Sequence, residues 1–260
     1  MLLGQHTDVV SIGEANVAFK HMNLEKICSC GKAAGDCGYW GKVYQKLFSI
    51  PKEERKKDVK YTALISSFRD VFGDNVVICD SGKDPRAILS MADNPEIELY
   101  VIFLSKDIRG FVQSNLSHIK ENQGLKYKWL YLKTLFFQTL YWLYFNRKHS
   151  KAFSKKNIRM MRIGYEELCL NTTFILNKTF DFLGIERVQP GSTIDNSKSH
   201  ILWGNSMRYD AFASSSIQYD YKWAMNVWVN FVTWPLQFLN KKYAYSNTIL
   251  NQKGNIERRN

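Results

Sequence analysis

The sequence predicts an α/β protein with three layers around a central parallel sheet, on three observations. Strand-like apolar runs recur at 76–79, 99–104 and 158–165, helical periodicity fills the gaps between them, and turn residues stand at the strand ends. A helix remnant at 2–6 comes first, followed by a helix near 40–48 and another at 60–72, where Leu64, Ile65, Phe68, Val71 and Phe72 share one face. After the strand at 76–79, Pro85 suits the first turn of a helix over about 84–92. Leu99 to Leu104 is an unbroken apolar run, the pattern of a parallel strand buried on both faces, and 76–104 reads as a right-handed βαβ unit. Trp129 to Phe145 is crowded with aromatics but carries Lys133 and Gln138, which reads as a buried or interfacial helix. The strand at 158–165 leads into a helix that ends at Gly184, with Leu176, Phe180 and Leu183 facing inward. With 45% apolar residues, 260 residues suffice for one domain spanning 1–260, with 190–199 and the tail from about 248 read as flexible.

Composition narrows the function classes. A formal charge of +12 suits a polyanionic ligand steered into a basic cleft, although runs such as Lys52 to Lys60 also read as solvated helix. Nucleic acid is a poor fit, because the aromatics gather on apolar helices and not among the basic residues. No stretch has the order of a signal peptide or the length and purity of a membrane span, so the chain reads as cytoplasmic. Five cysteines, an odd number, argue against a disulfide framework and for a reducing compartment. Cys28, Cys30 and Cys37 could supply three thiolates to zinc, but no fourth ligand stands nearby and structural zinc wants four, so whether they bind metal stays open, while the chemistry itself needs none. His200, a lone histidine with no carboxylate in view, reads as structural.

Two segments carry the chemistry. VVICDSGKDP at 76–85 and LYVIFLSKDIRGFVQS at 99–114 each run from a strand into a cluster of serine, lysine and arginine, and open α/β sheets bind ligands at the carboxyl ends of their strands. Ser81, Lys83, Lys106, Arg109 and Ser114 offer the cations and donors that phosphate needs. The alternative is a pair of ordinary strand-to-helix turns. No G-x-x-x-x-G-K-[ST] motif occurs.

DSGKDP at 80–85 resembles the DSSKDP element of PAPS-dependent sulfotransferases, and KDIRGFVQS at 106–114 resembles that family's RDPRGxxxS. LLGQHTDVVSIGE at 2–14, CSCG with DCGYW at 28–40, IGYEEL at 163–168 and HILWGNSMR at 200–208 follow the same pattern, nearest the bacterial-type enzymes that share elements with the tyrosylprotein and glycan branches. The resemblance implies a P-loop NTPase-like fold and transfer of a sulfuryl group from PAPS to a hydroxyl or amine of a glycan, peptide or small-molecule acceptor, with PAP as product and no metal. It implies Glu14 as catalytic base and Lys83 beside the transferred group, with Lys106 and Ser114 on the donor's 3′-phosphate. Lys106 stands where the family has arginine, which keeps the charge but gives up the bidentate fork. Asn205 and Arg208 would belong to a late loop over the nucleotide, and Arg109 would either contact the nucleotide or pair with Asp107. The glutamates of IGYEEL are read as structural at a helix N-terminus. The family places a strand and a GxxRSGST-like phosphosulfate loop before the segment in which this chain begins, so a late start, a gene fragment and a truncated protein are all open. The alternative function is a catalytically inactive protein that binds PAP or a polyanion.

Overall fold

The small and apolar run VVSIG forms β1 (Val9–Gly13), buried at every position. This computed structural model describes residues 2–123, 126–155, 158–189, 198–204, 219–245, 249–250 and 256–257. The chain is mixed α/β and divides into two compact units, Met1–Ile97 with Ile185–Ile217, and Glu98–Gly184 with Gln218–Asn260.

In the first unit β1 is followed by α1 (Ala15–His21), α2 (Trp40–Phe48), α3 (Lys57–Phe72), β2 (Val77–Asp80) and α4 (Pro85–Met91). β2 runs parallel to β1, with Val9 opposite Val77 and Ser11 opposite Cys79, and the register shifts between Ser11 and Gly13. Four of the five residues of the expected α3 face are in place: Leu64 and Phe68 join Ile12, Phe19, Trp40, Tyr44 and Leu47 in one core, with Ile65 and Phe72 packed against it, while Val71 is not part of that cluster. Asp84 caps α4 by accepting the Arg86 N–H, and Pro85 takes the first position, where a missing N–H costs nothing.

The second unit holds β3 (Tyr100–Ser105), α5 (Ile108–Gln123), α6 (Lys126–Lys155), β4 (Arg159–Gly164), α7 (Tyr165–Leu170), α8 (Thr172–Leu183), α9 (Val227–Thr233), α10 (Asn240–Tyr243), β5 (Ile249–Leu250) and β6 (Ile256–Glu257). β3 and β4 pair in parallel from Tyr100 opposite Arg159 to Ser105 opposite Gly164. β5 lies antiparallel to β4, and β6 to β5. Gly184 ends α8 in the left-handed conformation, where a residue without Cβ is at no disadvantage.

Two expectations are corrected. β2 and β3 are not one βαβ pair, because each has a different partner, β1 for β2 and β4 for β3, so two parallel ladders replace the single sheet among the described residues. The strand buried on both faces is β4, not β3. β3 is the outer member of its ladder, with Val101, Phe103 and Ser105 buried but Leu104 half exposed, whereas Met160 to Gly164 of β4 are all covered.

α6 buries Leu135, Thr139, Trp142, Asn146, His149 and Phe153, a stripe of alternating four- and three-residue steps. Its other side presents Leu132, Phe136, Phe137, Leu140 and Tyr144 to solvent, so the aromatic segment is a half-buried helix with large apolar side chains on its exposed side as well. Among the described residues no helix is long and apolar enough to cross a membrane.

Candidate functional site

Chain order and sheet pairing put Glu14 and Lys83 just beyond the carboxyl ends of neighbouring strands. β1 ends at Gly13 with φ +76°, and a Cβ there would stand 2.3 Å from the Trp203 carbonyl oxygen. The backbone turns at Glu14, whose N–H donates to that same Trp203 oxygen at 2.8 Å while its own carbonyl starts α1 by accepting from Val17 and Ala18. On the partner strand the Ser81 N–H donates to the Gly13 carbonyl at 2.8 Å, so the DSGKDP turn is tied to the end of β1. Lys83 Nζ then lies 3.2 Å from Glu14 Oε1, the lysine 79% exposed and the glutamate 19%. The Ser81 hydroxyl is exposed beside them.

Asp80 holds this turn and was not singled out from the sequence. Its Oδ1 accepts from Gly82 N at 2.7 Å and Ala15 N at 3.2 Å, and its Oδ2 from the Tyr61 hydroxyl at 3.2 Å. One carboxylate therefore organises both the first turn of α1 and the loop that carries Lys83. Burial pushes it above the usual carboxylate range, despite the two backbone donors and Tyr61. Strand-end aspartates are common, so the legible signal was only that DSGKDP contains one.

Asp84, at the far end of the turn, accepts from Arg86 and pairs with Lys57 Nζ. Burial alone would raise its carboxyl, but Lys57 and Arg86 outweigh burial and hold it at about 2. A carboxylate depressed below its unfolded value of about 3.9 adds stability above that pH, lost as pH falls through the folded value. Lys57→Met is thus expected to move acid unfolding of the first unit to higher pH within roughly the pH 2–4 window, read by circular dichroism against pH. An unchanged acid limb would refute the role of Lys57.

The second unit positions Lys106, Arg109 and Ser114. Lys106 follows β3, and its stem lies across Gly110, where an added Cβ would meet Lys106 Cε at 2.9 Å and Cγ at 3.4 Å. Gly110 and Ser114 are four residues apart on α5 and so share a face, which puts the exposed Ser114 hydroxyl one turn along from the lysine stem. The Lys106 ammonium stands 4.5 Å from the Tyr165 ring centroid. Among the described residues no carboxylate forms an ion pair with it.

Of the two roles open to Arg109, the structure displays pairing with Asp107. Its Nε and Nη2 donate to the two Asp107 oxygens at 3.0 and 2.7 Å, and its guanidinium lies 3.9 Å from the Trp223 ring centroid. Asp107 is fully buried and also accepts from Arg109 N, from Asn240 Nδ2 at 2.9 Å and from the Tyr245 hydroxyl. The N–H groups of Asp107 and Ile108 donate to Glu166 Oε1 and Asn240 Oδ1 at 3.0 Å each. The α5 N-terminus is thus satisfied internally, and an anion would meet Lys106 and Ser114 along the helix flank. Glu166, read as structural at its own helix N-terminus, instead accepts the Asp107 N–H ahead of α5, and burial raises its carboxyl. Asn205 and Arg208 lie outside the described residues, as do 190–197 and most of the tail.

One expectation about the cysteines is overturned. A fourth ligand does stand beside Cys28, Cys30 and Cys37: His200, 163 positions along the chain from Cys37, has its Nδ1 3.2 Å from the Cys37 sulfur. Folding brings together what sequence proximity hid.

Compared with family models, with curated proteins and with solved structures, the chain finds no match.

Proposed function

We propose that the protein is a sulfotransferase that moves a sulfuryl group from PAPS to a hydroxyl or amine, with Glu14 as base and Lys83 as the cation at the departing oxygen. The observation that carries the reading is the Glu14–Lys83 pair at 3.2 Å, because a proton acceptor and a cation adjoin at the ends of two parallel strands. Glu14 takes the acceptor's proton as its oxygen or nitrogen bonds to sulfur, the bridging S–O bond breaks, and the electron pair leaves on the 5′-phosphate oxygen of PAP, where Lys83 offsets the charge. Lys106 and Ser114 take the 3′-phosphate. Arg109, engaged by Asp107 and Trp223, is left out of the proposed ligand set. The finer fold, a three-layer P-loop NTPase-like sheet, belongs to the same proposal, and the parallel pairing of β1 with β2 and of β3 with β4 supports it.

Calorimetric titration of the 260-residue chain with PAP tests the nucleotide half. Wild type is expected to bind, Lys106→Ala to lose at least about tenfold in affinity, the effect of one charge-assisted contact, and Gly110→Ala to weaken binding by displacing the lysine stem while leaving α5 folded. Equal affinity in all three would overturn the assignment. Transfer assayed with Lys83→Ala tests the other half: a loss within the roughly 10²- to 10⁴-fold range of a positioned group supports it. PAP binding with no transfer by wild type would favour the inactive binding protein.

A further inference from the structure

Cys28, Cys30, Cys37 and His200 form a cluster that the transfer chemistry does not use. Their sulfur atoms and the imidazole nitrogen all lie within 4.8 Å of one another, with Cys28 and Cys37 buried. We propose that these four side chains bind one zinc ion as a structural Cys3His site.

Distances fit one tetrahedral ion. With Zn–S bonds of about 2.3 Å, a tetrahedral site has S···S edges of about 3.8 Å. The Cys30–Cys37 and Cys37–Cys28 sulfur pairs each stand at 3.8 Å, and Cys37 to His200 Nδ1 at 3.2 Å. A disulfide needs sulfurs about 2.05 Å apart, so none of these is one, and pairing any two would strand the third. A bridged iron cluster spreads its ligands over more than one metal, whereas here all four converge on one point.

The backbone is arranged to make this convergence. Cys28 and Cys30 are two residues apart in a loop closed by the Ile27–Ala33 bridge and by Cys28 N donating to Lys32 O, and both sulfurs stand 3.8 Å from the Cys37 sulfur. Gly31, with φ +85° and nothing within 4 Å of its would-be Cβ, follows Cys30 and turns the chain back toward Lys32. Cys37 follows one turn after, held by its N–H to Ala33 O, and its sulfur accepts the Trp40 N–H at 3.5 Å, a contact suited to a thiolate. His200 arrives on a segment fixed from several sides: its N–H donates to Ser11 O at 2.8 Å, its carbonyl accepts Trp40 Nε1 at 2.6 Å, and Ser29 Oγ links Ser199 O to Ile201 N. The imidazole is packed by Tyr39 and Phe72. Zinc would clamp the 28–40 loop to 199–203, the segment whose Trp203 carbonyl receives the Glu14 N–H. The proposal stands whether or not the transfer reading does.

The test is metal analysis of the full 260-residue chain purified without chelator, followed by exchange with Co²⁺. One equivalent of zinc is expected, with an intense thiolate-to-cobalt charge-transfer band and tetrahedral d–d bands after exchange. His200→Ala should lose more affinity than the about 10- to 100-fold that removal of an outer-shell partner costs, and His200→Cys should keep one equivalent with the d–d bands shifted toward the four-thiolate pattern. Cys79→Ser and Cys169→Ser should leave the spectrum unchanged. A chain that takes up neither metal, one that carries iron, or an intact mass lower by two hydrogens from a disulfide within the cluster would each overturn the proposal. Should Cys37→Ser fail to fold, the wild-type cobalt spectrum and the His200→Cys shift still decide.

Discussion

Asp107→Ala is expected to destabilise the second unit by about 3–5 kcal/mol, the range for breaking a buried ion pair. The carboxylate is fully buried and satisfies four partners: the Arg109 guanidinium, the Arg109 N–H, Asn240 and Tyr245. Its removal leaves Arg109, 22% exposed, without its counter-charge, and strips the cap from α5, itself worth about 0.5–2 kcal/mol. Burial alone would raise the Asp107 carboxyl, but Arg109 and Tyr245 outweigh burial and hold it below the usual range. Its stabilising contribution is therefore present above about pH 3.9 and fades as pH falls through the depressed folded value. Urea unfolding at neutral pH, followed by near-ultraviolet circular dichroism, measures the loss. A change under 1 kcal/mol would mean that the network is ornamental. Tyr245→Phe, which removes one donor and leaves Arg109 in place, should fall well short of Asp107→Ala.

Gly13→Ala should be the most damaging small substitution in the first unit. The left-handed backbone at φ +76° costs a residue with Cβ about 1–2 kcal/mol, and overlap with the Trp203 carbonyl, 2.3 Å away, adds about 1–3 kcal/mol of overpacking. Gly184→Ala is the control. It has φ +71° but nothing within 4 Å of the new methyl, so only the backbone part should appear. Equal losses in the two variants would show that the Trp203 contact gives way freely. Because Gly13 also accepts the Ser81 N–H, the change should pull the DSGKDP turn from Glu14 and lower transfer beyond what instability explains.

Local signals in the sequence were sound where one element sufficed to generate them. Most of the face of α3, the proline that opens α4, the limits of β4 to within a residue and the glycine after α8 all follow from neighbours within a few residues. Strand partnership did not, because β2 reads the same whether β1 or β3 lies beside it, and the alternation that leaves Leu104 half exposed depends on β3 standing at a ladder's edge. In the site, Glu14 and Lys83 were named separately, and their contact is a product of the parallel register of β1 with β2. Asp80 was hidden inside a motif read for its serine and lysine. Arg109's pairing with Asp107 was one of two readings open from the sequence, but the contacts of that pair with Tyr245, Trp223 and Asn240 come from more than a hundred residues away, and no periodicity reports them. The same distance concealed His200 from the cysteines.

The linkage of residues 11, 29, 37 and 40 to 199–201 also bears on the order in which the protein is made. The first unit is interrupted by the 87 residues from Glu98 to Gly184, and Cys37 meets a partner 163 positions further on. At ribosomal rates of about 5–20 residues per second, His200 is added roughly 10–30 s after Cys37. Throughout that interval the nascent first unit has β1 and β2 but no 199–203 segment to cover Gly13 and Ser11, and three thiols near one another with no histidine. Its completion is therefore timed by synthesis of the second unit, and a chain stopped anywhere before residue 199 would leave the ribosome with its first unit open.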